Sequence, residues 1–178
     1  MKKITFLIAI FFASYSFSAD GPFLGLFGIK TDNPAAVVAA TDALNKDCKN
    51  PEGVTVTLVA EAFNGSEPTT HTYLVGFPNN AAYVEWNNQI ASCAGWAKYF
   101  EAMNPISEET VSALAFPLAG GGDASKDTVF VNFFANVSRP DKFLPAYNDL
   151  MEVASSDGTC PSSWGLFAFG PGVTPDEY

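Results

Sequence analysis

The stretch Thr128–Met151, TVFVNFFANVSRPDKFLPAYNDLM, decides how the rest of the chain is interpreted. Its first half is apolar and rich in valine and phenylalanine, which is typical of a buried strand. A Ser-Arg-Pro-Asp turn follows, and the second half spaces its apolar side chains as one face of a helix does. The stretch therefore predicts a strand at Val129–Val137 and a helix from near Pro140. Because a proline clashes with the preceding helical turn, Pro145 predicts that this helix starts late or is kinked.

Two earlier stretches repeat this order of strand, turn and helix. The apolar run Phe23–Ile29 leads into a helix capped by Asn33, and the strand Thr70–Phe77 leads into one long helix with an aromatic stripe at a three-four spacing. Each helix is followed by a second strand, and Pro117 marks the end or an edge position of the strand that closes the second unit. We expect three strand-helix-strand units at 23–63, 70–118 and 128–169, with a flexible glycine-rich linker at 119–127.

The first two units, joined by a turn between Phe63 and Thr70, give the order β-α-β-β-α-β, which is that of a ferredoxin-like sandwich. We therefore expect an α+β fold with a mostly antiparallel sheet, helices on one face, and an extension by a third β-α-β unit. Residues 19–178 are enough for a single domain with a sizeable core.

The opening stretch also resembles a known superfamily. Its strand Val129–Phe133, its turn Arg139–Phe143 and its helical residues Tyr147–Leu150 are similar to those of the dimeric α/β-barrel superfamily, whose members carry an apolar strand, a Pro-Gly-Lys-like turn and a Phe- or Leu-led helix. That superfamily includes antibiotic-biosynthesis-type monooxygenases, haem-degrading enzymes, relatives of chlorite dismutase and stress-responsive proteins without known catalysis. No catalytic residue of the family can be matched here, so the resemblance bears on the fold and not on activity.

The N-terminus is typical of a bacterial secretory signal peptide. Met1-Lys2-Lys3 is a basic region, Ile4–Ala13 is apolar and Ser14–Ala19 is a segment of mostly small residues. The small residues at the cut favour cleavage after Ser18, so residues 1–18 are the expected signal. The apolar run is shorter than the about 20 residues that span a bilayer. We expect a periplasmic or secreted protein that does not insert into a membrane once the signal is removed.

The net charge of the chain excludes some classes of binding partner. The whole chain has a formal net charge of −10, and removing Lys2 and Lys3 with the signal leaves 7 basic and 19 acidic side chains, or −12. Such a surface repels nucleic acid and anionic membranes. We expect neither partner.

The three cysteines are Cys48, Cys93 and Cys160. An exported protein can keep a disulfide, and an odd number leaves at least one thiol over. Cys48 and Cys93 fall on predicted helices that should be neighbours, so this pair is the first candidate for a bridge; three buried, unpaired cysteines are the alternative. No CxxC pattern occurs and there is one histidine, so we expect no metal site. No cofactor is predicted either, with haem as the alternative.

Five residues are candidates for a ligand site. His71, the single histidine, shares a strand face with Tyr73, and its alternatives are a solvated strand-end residue or a haem ligand or general base. Arg139, the single arginine, stands where free helix N–H groups could bind an anion, unless it only pairs with a nearby aspartate. The aromatic residues Trp86 and Tyr147 complete the set; a core-facing stripe is the alternative to a ligand cup.

Three functions fit these features. The first is non-catalytic binding of a small apolar or aromatic ligand between helices and sheet. The second is an α/β-barrel-type monooxygenase or haem-linked oxidoreductase with His71 or Arg139 at its pocket. The third is a self-associating structural or interaction protein that dimerises through the face of the sheet. Because no catalytic set is evident in the sequence, the chain is better explained as a binding protein than as an enzyme.

Overall fold

A computed structural model describes residues 21–156 and 163–170 of the chain. The expected signal peptide at 1–18, Cys160 and the polar tail from Pro171 lie outside the described residues. The strands are β1 (Phe23–Lys30), β2 (Thr55–Ala60), β3 (His71–Phe77), β4 (Glu108–Gly122) and β5 (Ser163–Phe169). The helices are α1 (Pro34–Asp47), α2 (Asn80–Ser92), α3 (Ala94–Met103) and α4 (Pro140–Ser156), with a short 3-10 turn at Ala124–Lys126.

The five strands form one sheet in the order β2-β3-β1-β4-β5. Every neighbouring pair in it is antiparallel, so the expected α+β class with a mostly antiparallel sheet is confirmed. β1 and β2 run in the same direction with β3 between them, because the long crossover through α1 carries the chain past the position that β3 later fills.

The core lies between one face of this sheet and helices α1 to α3. Successive strand residues point to opposite faces, and Phe23 of β1 shares the helix-covered face with Val75 and Phe77 of β3. The Phe77 ring meets the Trp86 ring edge-on with centroids 5.5 Å apart, and Trp86 meets Trp96 in the same way at 5.4 Å. The aromatic stripe of the second unit is thus mainly a core stripe.

The first two helices begin where their sequence predicts. The side chain of Asn33 accepts a hydrogen bond from the Ala36 N–H at 3.2 Å, and Asn79 accepts one from the Ala82 N–H at 2.9 Å. Each cap satisfies an N–H group that would otherwise lack an intrahelical partner. These caps fix the points at which the chain leaves β1 and β3 and turns back over the sheet.

The single long helix expected after Asn80 is in fact two helices. Cys93 interrupts the helical path with φ −84° and ψ 120°, an extended conformation, and it forms a disulfide with Cys48. The break redirects α3 so that it packs against α1. Gly95 allows the close approach, since a Cβ atom there would lie 2.6 Å from the Cys48 sulfur. In α2 the buried residues are Ala82 and Trp86. In α3 the large buried side chains are Trp96 and Met103, and Phe100 is 51 % exposed, so the break shifts the buried face from the one that a single long helix would have. Periodicity alone does not detect such a break.

β4 is longer than expected, and the linker predicted at 119–127 is wrong in its first part. The strand continues through Pro117 to Gly122 and pairs there with β5. Its pairing with β1 ends at Leu24–Ala115, and the same register would place Pro22 opposite Pro117. Neither proline has an N–H to donate, so the β1–β4 ladder stops while β4 goes on with β5 alone.

The strand expected at Val129–Val137 is not formed, so the third unit has a helix and one strand where a β-α-β unit was expected. Residues 128–137, which we name segment 128–137, have no regular secondary structure. Phe134 of this segment packs on Phe169 with ring centroids 5.5 Å apart, whereas Tyr147 of α4 packs on Trp164 at 5.7 Å. Trp164 and Phe169 are an odd number of residues apart on β5 and point to opposite faces. The segment therefore lies over one face of β5 and α4 contacts the other.

Helix α4 contains Pro145 in its interior. It begins at Pro140, a position that proline favours because the first helical residues have no intrahelical acceptor for their N–H groups. The later proline removes one internal hydrogen bond. Met151 is the one buried side chain that the described part of α4 contributes.

Candidate functional site

The predicted site residues do not converge on one pocket. His71 and Tyr73 lie on β3, Trp86 on α2, and Arg139 and Tyr147 at the start of α4 and within it. His71 is half-buried at the start of its strand, and its Nδ1 lies 3.0 Å from the Thr70 hydroxyl. That hydroxyl in turn is 3.2 Å from the Ile29 carbonyl oxygen, to which it can donate its proton. The histidine is thus held by its neighbour at a strand end.

Tyr73 belongs to a buried group of hydroxyls between β3, α1 and α3. Its hydroxyl lies 2.7 Å from that of Thr41, and the Thr41 hydroxyl donates to the Val37 carbonyl at 2.9 Å. Tyr99 of α3 hydrogen-bonds to Tyr73. Burial raises the pKa of the Tyr99 hydroxyl, and the bond to Tyr73 acts in the same direction. The group ties three elements together through hydrogen bonds between its members.

Trp86 is buried in the core, and its indole Nε1 has no hydrogen-bond partner among the described residues. Its ring is surrounded by other aromatic rings, with Phe27 at 6.0 Å, Phe77 at 5.5 Å and Trp96 at 5.4 Å between centroids. Those contacts make it a packing residue of the core.

Arg139 is an exposed arginine whose guanidinium lies 3.6 Å from the Asp141 carboxylate. Its carbonyl oxygen accepts hydrogen bonds from the N–H groups of Lys142 and Phe143 at the start of α4. Since both charged side chains are more than half exposed, water screens the pair and it adds little stability. The alternative of a local ion pair with an aspartate is therefore the one that the structure contains.

The disulfide expected between Cys48 and Cys93 is present. Their Cα atoms are 6.2 Å apart, within the range of about 4.4–6.8 Å that a bridge requires. Beside it, the Lys98 ammonium lies 2.8 Å from the Asp47 carboxylate. That hydrogen bond lowers the pKa of Asp47. The bridge and the ion pair both join the end of α1 to the α2–α3 region.

An open groove of about 300 Å³ lies at the end of the sheet where β1 begins. The β1–β4 ladder stops there, so the two strands part and leave a concave surface. The lining is mostly apolar and contains none of the five predicted ligand residues: Pro22, Phe23, Leu24, Gly53, Thr55, Gly76, Phe77, Pro78, Pro117 and Phe167. Sequence reasoning missed this groove. The signal that could have found it is the set of prolines that bound strand ends.

A second unpredicted feature is a large apolar surface in the C-terminal region. Within segment 128–137, Val129 is 80 % exposed, Val131 72 % and Phe133 90 %. We call the exposed apolar side chains of segment 128–137, α4 and β5 the C-terminal apolar surface. Its members are Val129, Phe130, Val131, Phe133, Phe134, Phe143, Leu150, Val153, Phe167 and Phe169. Exposed apolar side chains gathered in one region of a folded protein are typical of an interaction site.

Among residues 21–156 and 163–170, no group of three or more histidine, cysteine, aspartate or glutamate side chains is arranged to bind a metal ion. No helix in the described part of the chain is long and apolar enough to cross a bilayer. No protein-family model matches the chain, and no curated protein shows significant sequence similarity to it.

Proposed function

We propose that this chain is a non-catalytic binding protein that self-associates, with a second copy covering the C-terminal apolar surface. The observation that supports this proposal most directly is the exposure of Val129, Val131 and Phe133 in an otherwise well-packed protein. Exposing such side chains to water costs about 25 cal/mol per Å² of apolar area, and burial between copies would recover that free energy.

A second copy is the favoured partner because of charge. The chain carries −10 in total, so two copies repel each other wherever their acids meet. Thr128–Val137 and Ser163–Phe169 contain no charged side chain at all. Like-charge repulsion between copies is therefore weak on these two stretches.

The order and direction of the strands support the same proposal. The first four strands follow the order β2-β3-β1-β4 with antiparallel neighbours, which is the arrangement that we propose to be ferredoxin-like. We further propose the distant relation to the dimeric α/β-barrel superfamily and the export to the periplasm or outside the cell. The Cys48–Cys93 disulfide supports export, because such bridges persist in oxidising compartments.

Sedimentation velocity of the purified protein over a wide concentration range tests self-association. We expect a concentration-dependent dimer that Phe133→Asp weakens by about tenfold or more, since a buried charge without a partner is costly. Phe63→Asp is the matched control, because Phe63 is fully exposed in the turn between β2 and β3. A protein that stays monomeric at all concentrations would contradict the proposal.

The groove favours a second function, the binding of a small apolar ligand. Its volume of about 300 Å³ lies at the lower end of the range for ligand sites, about 300–1,000 Å³. Native mass spectrometry of protein from its own host should show an added mass that Thr55→Arg removes, because Thr55 lines the groove. Thr57→Arg, two residues along the same strand, is the control. Host protein without any added mass would exclude a retained ligand.

The enzyme alternative, a monooxygenase or haem-linked oxidoreductase, requires His71 or Arg139 at an apolar pocket. Neither residue lines the groove. A Soret band in the purified protein, or an activity lost in His71→Ala, would reinstate this alternative.

A further inference from the structure

One edge of β5 is open among the described residues. β5 is the last strand in the sheet order. On its other side, β4 forms hydrogen bonds with half of the backbone N–H and C=O groups of β5. The Gly170 N–H donates to the Leu114 carbonyl at 2.8 Å. Because alternate residues of an antiparallel strand bond to opposite sides, Ala168 and Leu166 also direct their N–H groups at β4. The N–H and C=O groups of Gly165, Phe167 and Phe169 then point to the open edge.

This edge lacks the devices that usually prevent strands from adding to one another. Natural edge strands carry a lysine, a proline or a bulge, or they are very short. β5 has seven residues, SWGLFAF, with no charge and no proline. The irregularity of the β4–β5 ladder, between Pro117 and Ala119, is on β4 and leaves β5 itself regular. The open edge of β5 is therefore a template for another strand.

From this geometry we infer that β5 pairs antiparallel with β5 of a second copy, joining two five-stranded sheets into one continuous sheet. This rests on the proposed self-association and specifies its contact. An antiparallel pair of identical strands is related by a two-fold axis. Each copy therefore pairs the open backbone N–H and C=O groups of the other, and the assembly closes as a dimer. The register with full overlap pairs Ser163 with Phe169 of the other copy and places Leu166 beside its own equivalent.

Segment 128–137 completes the contact. A two-fold axis normal to the sheet keeps the same faces of both copies on the same side. Segment 128–137, which packs through Phe134 on Phe169, then lies next to the β5 face of the second copy. The rings of Phe130, Phe133 and Phe134 are 51 %, 90 % and 48 % exposed.

These three side chains supply about half of the area that a stable interface buries on each partner. A fully exposed aromatic side chain offers about 150–250 Å², so the three rings supply on the order of 300–450 Å². A stable interface buries about 800 Å² on each partner. The exposed Val129 and Val131, together with the phenylalanines of β5, add to the same surface. Burial in the dimer would thus explain why the apolar side chains of segment 128–137 are exposed in a single copy.

A cysteine cross-link tests the pairing directly. In the inferred register the two Leu166 Cα atoms form a non-hydrogen-bonded pair at about 4.5 Å, within the disulfide range of about 4.4–6.8 Å. Leu166→Cys in a Cys160→Ser background should form a covalent dimer under mild oxidation. Val84→Cys in the same background is the control, because Val84 is an exposed residue of α2 and should stay monomeric on a non-reducing gel.

Hydrogen exchange supplies an independent readout. The Phe167 amide should exchange quickly in dilute protein and be protected at high concentration, whereas the Gly170 amide, which bonds to Leu114, should keep its protection at both. A covalent dimer of the Leu166→Cys variant, with concentration-dependent protection of Phe167, supports the inference. A dimer that shows neither overturns the β5 contact and leaves self-association standing. Protein that is monomeric throughout overturns both.

Discussion

The two ends of the sheet differ in how completely their side chains are packed. Around β1 and β3, Phe77 is 2 % exposed and is enclosed by the rings of Phe23, Tyr83 and Trp86. Beyond Pro117, the helix α4 buries one side chain, Met151, and Phe133 is 90 % exposed. Both regions are rich in phenylalanine, yet Phe23 and Phe77 are buried in the first, whereas every phenylalanine of segment 128–137 is exposed.

The difference shows that composition does not determine burial; the number of packed layers does. Helices α1 to α3 cover the first region, and the Cys48–Cys93 disulfide links α1 to the α2–α3 junction. Segment 128–137 has no such cover from within the described chain. A buried phenylalanine in the first region therefore contributes to folding, and we propose that an exposed one in the second contributes to association.

The largest expected effect on folding is that of Phe77→Ala. The substitution leaves a cavity among three aromatic rings and should lower the free energy of unfolding by about 3–5 kcal/mol. Chemical denaturation followed by tryptophan fluorescence measures this loss. A loss below about 1 kcal/mol would mean that the first region is not packed as described.

Removing the disulfide should have the next largest effect. The Cys48–Cys93 bridge has a sequence separation of 45, and closing such a loop restricts the unfolded chain. Cys48→Ser with Cys93→Ser should lower the free energy of unfolding by about 2–4 kcal/mol. The same double variant and the reduced wild type should unfold at similar denaturant concentrations. Equal stability of the oxidised wild type and the double variant would contradict a stabilising bridge.

Alkaline pH should lower the stability of the first region, because the buried Tyr99 hydroxyl ionises less readily there than in the unfolded chain. Burial raises the pKa of this hydroxyl above its ordinary value of 10.0, so the unfolded chain ionises first. Its stabilising contribution is complete below about pH 10 and declines as the pH rises toward the folded-state pKa. The denaturation midpoint of the wild type should therefore fall more steeply above pH 10 than that of Tyr99→Phe. Parallel pH profiles for the two proteins would contradict this assignment.

The smallest effect on folding is expected for Phe133→Ala, although it is the same chemical change as Phe77→Ala. Because the ring is almost fully exposed, the free energy of unfolding at low protein concentration should change by no more than about 0.5 kcal/mol. Phe63→Ala should change the free energy of unfolding equally little, because Phe63 is also fully exposed. A loss above about 1 kcal/mol for Phe133→Ala alone would show that segment 128–137 packs within its own chain.

Local sequence patterns predicted most of the first region. The Asn33 cap, the apolar strands β1 and β3 and the aromatic stripe of α2 and α3 all depend on neighbouring residues, so periodicity and capping rules detect them. The bridge between Cys48 and Cys93 followed from the expected proximity of two helices. The break at Cys93 was missed because it comes from the tertiary link and from the close approach at Gly95.

The C-terminal region was predicted less well because its local signals and its tertiary context disagree. Thr128–Val137 has the composition of a strand, but Phe134 packs on a face of β5, and composition does not decide between a place on a face and a place at an edge. Similarly, Gly120–Gly122 has the composition of a linker, yet β5 pairs with it. The candidate site residues His71, Trp86 and Arg139 were selected by residue type, and the structure places them apart, on β3, on α2 and just before α4.

β4 has partners on both sides only around Ala115, where its ladder with β1 ends and its ladder with β5 begins. We therefore expect the chain to open in two cooperative steps. If β5 detaches, Gly120–Gly122 loses its only described neighbour strand, while the bonds of β4 to β1 remain intact. Amides in the second half of β4 should then exchange through local opening, and those in its first half through global unfolding. One continuous strand would thus carry two levels of protection, with the proline at 117 as their boundary.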